Sequence, residues 1–241
     1  MNSAILQGFC AVFSGTAQAF AISNRFMPEG SPFLALFCLL PLYQAFYRSR
    51  SYRETFFLFA GQILTVHMIS SYWLAHFHGF AVFTLGASAL GTAVQGGMCG
   101  ILMHAFVANS ASPFSATGGI KSSDIFCRTK RIIWFCAGWV LYEYIKSTGS
   151  MGYPWGTVSM AAYKWKIFIQ IADFTGIWGI TFLLALFSAT AAELLDFSFQ
   201  LEATESDTVA IRTCVKFTAV AFALTAAYGL IQFYLPREKV K

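Results

Sequence analysis

The sequence predicts an all-α integral membrane protein, a bundle of about seven transmembrane helices with an amphipathic segment at the outer interface. Of its 241 residues, 57% are hydrophobic and only 11% are charged, and the mean hydropathy is +0.60. Soluble domains carry about 25% charged residues, so this composition is typical of a chain that lies in a bilayer. Each span and its loop take roughly 30 residues, which fits a single membrane domain over residues 1–241.

The apolar runs of the sequence are separated by Gly, Pro, Ser or charged residues. We expect spans at about 4–23, 32–47, 54–74, 80–107, 130–148, 174–195 and 210–234. No Lys or Arg precedes the first run, which we interpret as a span and not as a cleaved signal peptide. The second run is short and contains Pro32 and Pro41, residues that limit a helix.

The fourth run carries small residues at helical spacing. Ala89, Ala93 and Gly97 recur every four residues, and Gly96 and Gly100 repeat the interval one position further on. Small residues at this spacing let helix backbones approach closely, which is how helices pack in lipid. We expect tight helix packing here; room for a lipid chain is the alternative.

Basic residues predict the orientation of the bundle, because Lys and Arg favour cytoplasmic loops. A cytoplasmic N-terminus places these basic residues inside: Arg48, Arg50, Arg53, Lys121, Arg128, Lys130, Arg131, Arg212 and Lys216. An odd number of spans then places the C-terminus outside. The net charge of +5 is explained by these loops and gives no indication of nucleic-acid binding. The acidic run at 201–207 is predicted to be a solvated inner loop.

Two connecting segments are longer than a turn. Residues 108–130 are rich in Ser, Gly and Ala and are interpreted as a flexible cytoplasmic link. Residues 149–173 mix aromatic side chains with Lys164 and Lys166, a combination that favours the membrane interface. We therefore expect 149–173 to lie flat on the outer surface.

Polar residues elsewhere indicate no metal or cofactor site. The six cysteines are scattered without a Cys-x-x-Cys pair, and His76 and His78 have no third ligand nearby. Gln62, His67 and Asp173 lie at or near membrane depth, as does Gln95. A transport pathway could use such groups, but hydrogen bonds between helices explain them more simply.

The fifth run contains the charges that most need explaining. Glu143 and Lys146 lie three residues apart on one helix face, close to the outer end of an apolar helix. This spacing allows an ion pair, and ionisable groups in a membrane usually face a bundle interior or a watery cavity. The pair either fixes the helix end to the following loop or lines a cavity that meets a polar lipid head group. Tyr153-Pro154-Trp155 follows as a rigid aromatic corner.

These motifs resemble the membrane domain of apolipoprotein N-acyltransferases. The matching segments are Trp139 to Lys146, then Gly152-Tyr-Pro-Trp-Gly156, then Gln170 to Phe182 with its spaced glycines. Lys146 stands where the family usually has arginine, which keeps the charge but loses the planar fork. The resemblance implies a multi-pass protein of the bacterial inner membrane that binds phospholipid and lipoprotein.

The family's reaction is implied by this resemblance alone. Members transfer an acyl chain from a phospholipid, through a thioester on an enzyme cysteine, to the N-terminal cysteine of a lipidated lipoprotein. A glutamate, a lysine and that cysteine lie in a nitrilase-like domain outside the membrane. We expect that domain to be missing from this chain, and no residue is assigned to the triad. Binding or scaffold roles are carried over only to Glu143, Lys146, Tyr153, Pro154 and Trp155.

Three functions follow from this reading. The first is the membrane half of an N-acyltransferase-like protein in lipoprotein maturation, truncated and not catalytic by itself, with a separate nitrilase-like subunit as one way to complete it. The second is a non-catalytic membrane module that binds lipid or lipoprotein. The third is a small transporter, which predicts inverted repeats and a broken helix at mid-membrane.

Overall fold

The computed structural model describes residues 3–76, 79–80, 82–110, 125–149, 152–199 and 205–234, which contain helices and no strand. Their α-helices are α1 Ser3–Ala21, α2 Pro32–Phe37, α3 Leu40–Tyr47, α4 Tyr52–Ser70, α5 Ser88–Ser110, α6 Ile125–Ser147, α7 Ala172–Thr175, α8 Ile177–Ser198 and α9 Glu205–Tyr234. Short 3-10 turns cover Tyr72–His76, Val158–Lys164 and Phe168–Ile171, and a π-helical turn covers Val82–Ala87.

Membrane-spanning character is clear for part of the bundle. Among the described residues, four helices are long and apolar enough to cross a bilayer: Ala4–Ala21, Phe83–Val107, Ile177–Ser198 and Glu205–Tyr234. The second predicted span is instead two short helices, α2 and α3, with a break before Pro41. α4 carries Arg53 and Glu54 in its first turn, and α6 carries charged residues towards both of its ends. The count of seven spans therefore stays a prediction.

Helix starts follow from local capping. Ser31 accepts a hydrogen bond from the Leu34 N–H at 3.3 Å and begins α2, with Pro32 in the first turn. Ser51 accepts from the Glu54 N–H at 3.2 Å and begins α4, while the Glu54 carboxylate accepts from the Arg50 N–H at 2.6 Å. A side-chain oxygen at these positions satisfies a backbone donor that the helix itself cannot.

The small residues of α5 pack against α4. A Cβ built on Gly100 would lie 2.8 Å from the Phe59 ring, one on Gly97 2.6 Å from Phe56, and one on Gly96 1.9 Å from Ile63. Real Cβ atoms do not approach so closely, so glycine is what allows these two helices to touch. The expectation of tight helix packing is confirmed at these glycines.

The segment 149–173 differs from the prediction that it lies flat on a surface. Gly156, Thr157, Val158, Ser159, Ala161 and Ala162 are buried, and the turn Val158–Lys164 packs against α8 and α2. Trp155 and Tyr163 on either side remain about half exposed, at 49% and 50%. The segment therefore dips into one end of the bundle, which we call the loop end, because its small residues fit between helices.

A buried ion cluster lies at the opposite end of the bundle. Arg128 of α6 binds Glu193 of α8 at 3.1 Å and Asp207 of α9 at 3.0 Å. Arg131 donates to the same Glu193 carboxylate, which also accepts from the Tyr43 hydroxyl. The prediction of a solvated acidic loop is thus wrong for Asp207, which is 6% exposed, whereas Glu205 and Ser206 are exposed and 201–204 lie outside the described residues. Of the arginines assigned to cytoplasmic loops, Arg128 is buried and Arg131 is half-buried, because these two neutralise the buried carboxylates.

Candidate functional site

The candidate site is built around residues 152–159, which we call the plug loop. It is irregular backbone that enters the loop end of the bundle, and Gly156 adopts φ +80° at its deepest part. That conformation is costly for any residue with a Cβ, which explains a glycine here. Buried backbone of this kind is stable only where its polar groups are satisfied by protein or water.

Glu143 supplies the hydrogen-bond acceptor for this loop. The residue is fully buried, and its Oε1 accepts from the Val158 N–H at 2.7 Å. Its second oxygen, Oε2, accepts from the Thr181 hydroxyl of α8 at 2.6 Å. The carboxylate therefore joins α6, α8 and the plug loop through charge-assisted hydrogen bonds.

Lys146 supplies the matching donor. Its Nζ donates to the Trp155 carbonyl at 3.0 Å and lies 5.6 Å from the centre of the Tyr142 ring. The described residues show no contact within 4.0 Å between the Lys146 ammonium and the Glu143 carboxylate, so the predicted ion pair is not formed. Instead, each charged group bonds to the backbone of the loop: Glu143 accepts from the Val158 N–H, and Lys146 donates to the Trp155 carbonyl.

The aromatic corner, Tyr153-Pro154-Trp155, lies at the loop end of the bundle. The Tyr153 N–H donates to the Lys146 carbonyl at 2.6 Å, and the Tyr153 ring lies 4.8 Å from the His67 ring. Partial burial raises the pKa of the Tyr153 phenol, which keeps it neutral. Pro154 and Trp155 are exposed, and the Trp155 ring meets the Trp73 ring edge-on at 6.0 Å. Trp73 and Trp155 form an aromatic rim beside the plug loop.

Two glutamines to which the sequence analysis assigned no role in the site also hold the plug loop. Gln18 of α1 donates through Nε2 to the Gly156 carbonyl at 3.0 Å, and Gln62 of α4 donates to Gln18 Oε1 at 2.8 Å. The expectation that Gln62 bonds between helices is confirmed. A glutamine within a mainly hydrophobic segment was the available signal for both residues.

His67 also bonds between helices. Its Nε2 lies 2.9 Å from the Ser88 hydroxyl and its Nδ1 3.3 Å from the Thr92 hydroxyl, both on α5. His67 is 4% exposed, and each of its two ring nitrogens has a hydrogen-bond partner. Asp173 behaves similarly, accepting from the Tyr228 hydroxyl of α9. These contacts fit the prediction of interhelical hydrogen bonds.

The described residues contain no arrangement suited to metal binding or to an acyl-enzyme. No three His, Cys, Asp or Glu side chains in the described ranges could hold a metal ion together. Cys99, Cys136 and Cys214 are buried in helices, Cys38 is buried in the turn between α2 and α3, and Cys10 is half-buried. An acyl-carrying thiol needs an accessible thiolate with a base beside it. His78 and the side chain of Cys127 lie outside the described residues.

A small cavity lies behind the plug loop. Its volume is about 10 Å³, and Gln18, Gln62, Trp139, Tyr142, Lys146 and Gly156 are among the residues that line it. Glu143 is not part of its wall. The site therefore combines a clamped loop, an exposed aromatic rim and a polar interior.

Comparison with known proteins gives consistent matches. Residues 18–190 match the family described as the apolipoprotein N-acyltransferase N-terminal domain. The chain is 36% identical over 216 residues to apolipoprotein N-acyltransferase 2 of Treponema pallidum, covering 90% of this chain and 35% of that protein. It is 33% identical over 229 residues to apolipoprotein N-acyltransferase 2 of Treponema denticola, covering 93% and 40%. The chain thus spans about a third to two fifths of the length of these relatives.

Proposed function

The chain belongs to the apolipoprotein N-acyltransferase family, whose N-terminal domain it matches, and we propose from this that it is the membrane region of a lipoprotein N-acyltransferase. In this role it binds a phospholipid and a lipidated lipoprotein at the outer face of the bacterial inner membrane. The N-terminus then lies in the cytoplasm, the C-terminus lies outside, and the loop end of the bundle faces outward.

The plug loop is the observation that carries this proposal. Trp73 and Trp155 are exposed at one end of the bundle, and such rings favour the level of the lipid head groups. Directly beneath them, the Lys146 ammonium donates to a backbone carbonyl. The ester carbonyl of a phospholipid is the same kind of acceptor, so this ammonium suits a lipid ester that reaches the loop end.

We assign binding and scaffold roles, not the acyl-carrying step, to the described residues. The cysteines whose side chains are described are buried or half-buried, without the accessible thiolate and base that acyl transfer needs. We propose that a nitrilase-like domain supplies this nucleophile, either on the same polypeptide or as a separate subunit. In this proposal Glu143 and Lys146 are scaffold residues that hold the plug loop, and Tyr153, Pro154 and Trp155 form the binding surface that presents lipid to it.

The test is acyl transfer from phospholipid to a diacylated lipoprotein peptide by the purified chain in liposomes. It is run alone and with a lysate of the source cells from which this chain has been depleted. If the nitrilase-like domain is a separate subunit, we expect transfer only with the lysate and only when the chain is added back. If the domain lies on the same polypeptide, the depleted lysate will not restore transfer. Transfer by the chain alone would overturn the assignment of the chemistry to another domain.

A pair of tryptophan variants tests the location of the binding surface. Trp155→Ala removes an exposed ring of the rim, whereas Trp134→Ala removes a ring of α6 that stacks on Phe106 of α5. We expect Trp155→Ala to reduce lysate-dependent transfer about tenfold, as loss of one well-placed contact of about 1.4 kcal/mol does. Equal rates for the two variants would contradict this location. Lipopeptide binding without any transfer would favour the non-catalytic binding module.

A further inference from the structure

The two glutamines behind the plug loop have side chains whose orientation is fixed. The Gly156 carbonyl is an acceptor only, so Gln18 must direct its NH₂ group towards it, at 3.0 Å. The Gln18 oxygen then faces Gln62, which must present its own NH₂ group, at 2.8 Å. The direction of both amides follows from the backbone carbonyl at one end of the chain of hydrogen bonds.

This order leaves Gln62 Oε1 pointing away from Gln18. Gln62 is fully buried, and its Oε1 accepts no hydrogen bond from the residues that the structure describes. A buried amide oxygen without a donor costs about 1–3 kcal/mol. The Trp139 indole N–H is also without a well-formed hydrogen bond there. Gln62, Trp139 and Lys146 line the same cavity.

The charges of the cavity wall restrict what can bind. Lys146 brings an ammonium with three N–H donors, of which one is used by the Trp155 carbonyl. A cation would be repelled by this ammonium, and an anion would leave the Gln62 oxygen without a donor. A neutral group that both donates and accepts satisfies both sides. The volume of about 10 Å³ admits one water-sized oxygen.

We propose that this cavity binds a single hydroxyl group, which donates to Gln62 Oε1 and accepts from Lys146 Nζ. Its source is either a water molecule or the alcohol of a lipid head group. The hydroxyl closes a ring of hydrogen bonds that runs from the Gly156 carbonyl through Gln18, Gln62 and Lys146 to the adjacent Trp155 carbonyl. The inference rests on these side chains alone and holds whether or not the chain takes part in acyl transfer.

Nuclear Overhauser transfer to the Gln62 side-chain NH₂ protons tests the proposal. The full chain, labelled with ¹⁵N at glutamine and tryptophan, is studied in phosphatidylcholine bicelles and in bicelles containing phosphatidylglycerol. A cross-peak from water in both lipids identifies water, whereas one from the glycerol methylene protons in the second lipid identifies a head-group alcohol. The absence of both cross-peaks would overturn the proposal.

Two variants remove the site in different ways. Gln62→Met removes the acceptor, and its cross-peak is measured at the Trp139 indole N–H. Val66→Ile fills the cavity, and its cross-peak is measured at the Gln62 NH₂ group. We expect the cross-peak to fall at least fivefold in both. Gln95→Met, which changes a glutamine of α5 that does not line the cavity, serves as the control. A full cross-peak in Val66→Ile, which keeps both glutamines, would contradict the proposed position.

Discussion

Glu143 shows how one buried carboxylate can satisfy the polar groups of irregular backbone. It accepts from the Val158 N–H and from the Thr181 hydroxyl while fully buried. Glu143→Leu leaves both donors without a partner and is expected to lower the free energy of unfolding by about 3 kcal/mol. Glu143→Gln keeps an acceptor oxygen and is expected to cost about 1 kcal/mol.

Unfolding of the Glu143 variants is measured by titrating mixed micelles with sodium dodecyl sulfate and following tryptophan fluorescence. A loss in Glu143→Gln as large as that in Glu143→Leu would mean that the charge, and not the hydrogen bonding, stabilises the loop.

Gly156 is a second residue at which the plug loop is sensitive. Its φ is +80°, and an added Cβ would meet Ser70 Oγ at 3.2 Å and Val66 at 3.4 Å. Gly156→Ala is expected to cost about 1–2 kcal/mol of backbone strain, with a further loss from these contacts. Gly149 has φ +84° with open space around it, so Gly149→Ala reports the strain alone. The same unfolding titration should show the larger loss in Gly156→Ala, and the reverse order would contradict the packing described for the loop.

The sequence identified the residues of this site better than it identified their partners. Glu143 and Lys146 stand out because charges are rare in an apolar helix, and Tyr153-Pro154-Trp155 is a recognisable corner. The predicted ion pair is wrong because the i, i+3 spacing only permits a contact, while the loop's N–H and C=O groups compete for the same charges. Backbone partners of this kind cannot be predicted from side-chain types.

At the scale of single elements, the contact between α4 and α5 depends on glycine. Gly100→Val directs a branched side chain into the Phe59 ring, which a Cβ would approach to 2.8 Å. We expect a loss of about 1–3 kcal/mol from overpacking, and partial recovery when Phe59→Leu is added. Gly91→Val introduces the same side chain on α5 where nothing lies within 4 Å. Equal thermal stability of the two single variants in detergent would contradict this interface.

Element type was predictable and element ends were not. Long apolar runs gave most of the helices because a bilayer requires that backbone groups bond within a segment. The run at 32–47 became two helices, since Pro41 cannot donate to the preceding turn. The run at 149–173 entered the bundle because Gly156, Ala161 and Ala162 are small enough to be buried there.

At the scale of the whole molecule, the ion cluster joins helices that are distant in sequence. Arg128 binds Glu193 and Asp207, which lie 65 and 79 residues further along the chain. Arg128→Met leaves Asp207 without this cation in a buried place and is expected to lower the free energy of unfolding by about 3–5 kcal/mol. The cluster was missed because a basic residue near a helix end is usually a sign of orientation, and tertiary proximity has no local sequence signal.

The control for this prediction is an ion pair at the surface. Lys164 and Glu29 bind at 2.7 Å with the carboxylate side chain 83% exposed, and the Lys164 ammonium holds the pKa of Glu29 below its usual value. Exposed pairs contribute little, so Lys164→Met should leave the thermal midpoint nearly unchanged at neutral pH. A larger shift in Lys164→Met than in Arg128→Met would contradict the importance of the buried cluster.

The plug loop also has a consequence for the order in which the protein assembles. The hydrogen bond from Gln18 to Gly156 closes a loop of 138 residues, and Thr181 lies 38 residues beyond the Glu143 that it contacts. Contacts so far apart in sequence carry a loop-closure cost, so we expect them to form late in folding, after the helices that carry them have met. Interactions absent from the transition state act on the rate of unfolding and not on the rate of folding. Gln18→Leu should therefore speed unfolding in stopped-flow experiments and leave refolding almost unchanged. The plug loop would then act mainly by slowing the unfolding of the folded protein.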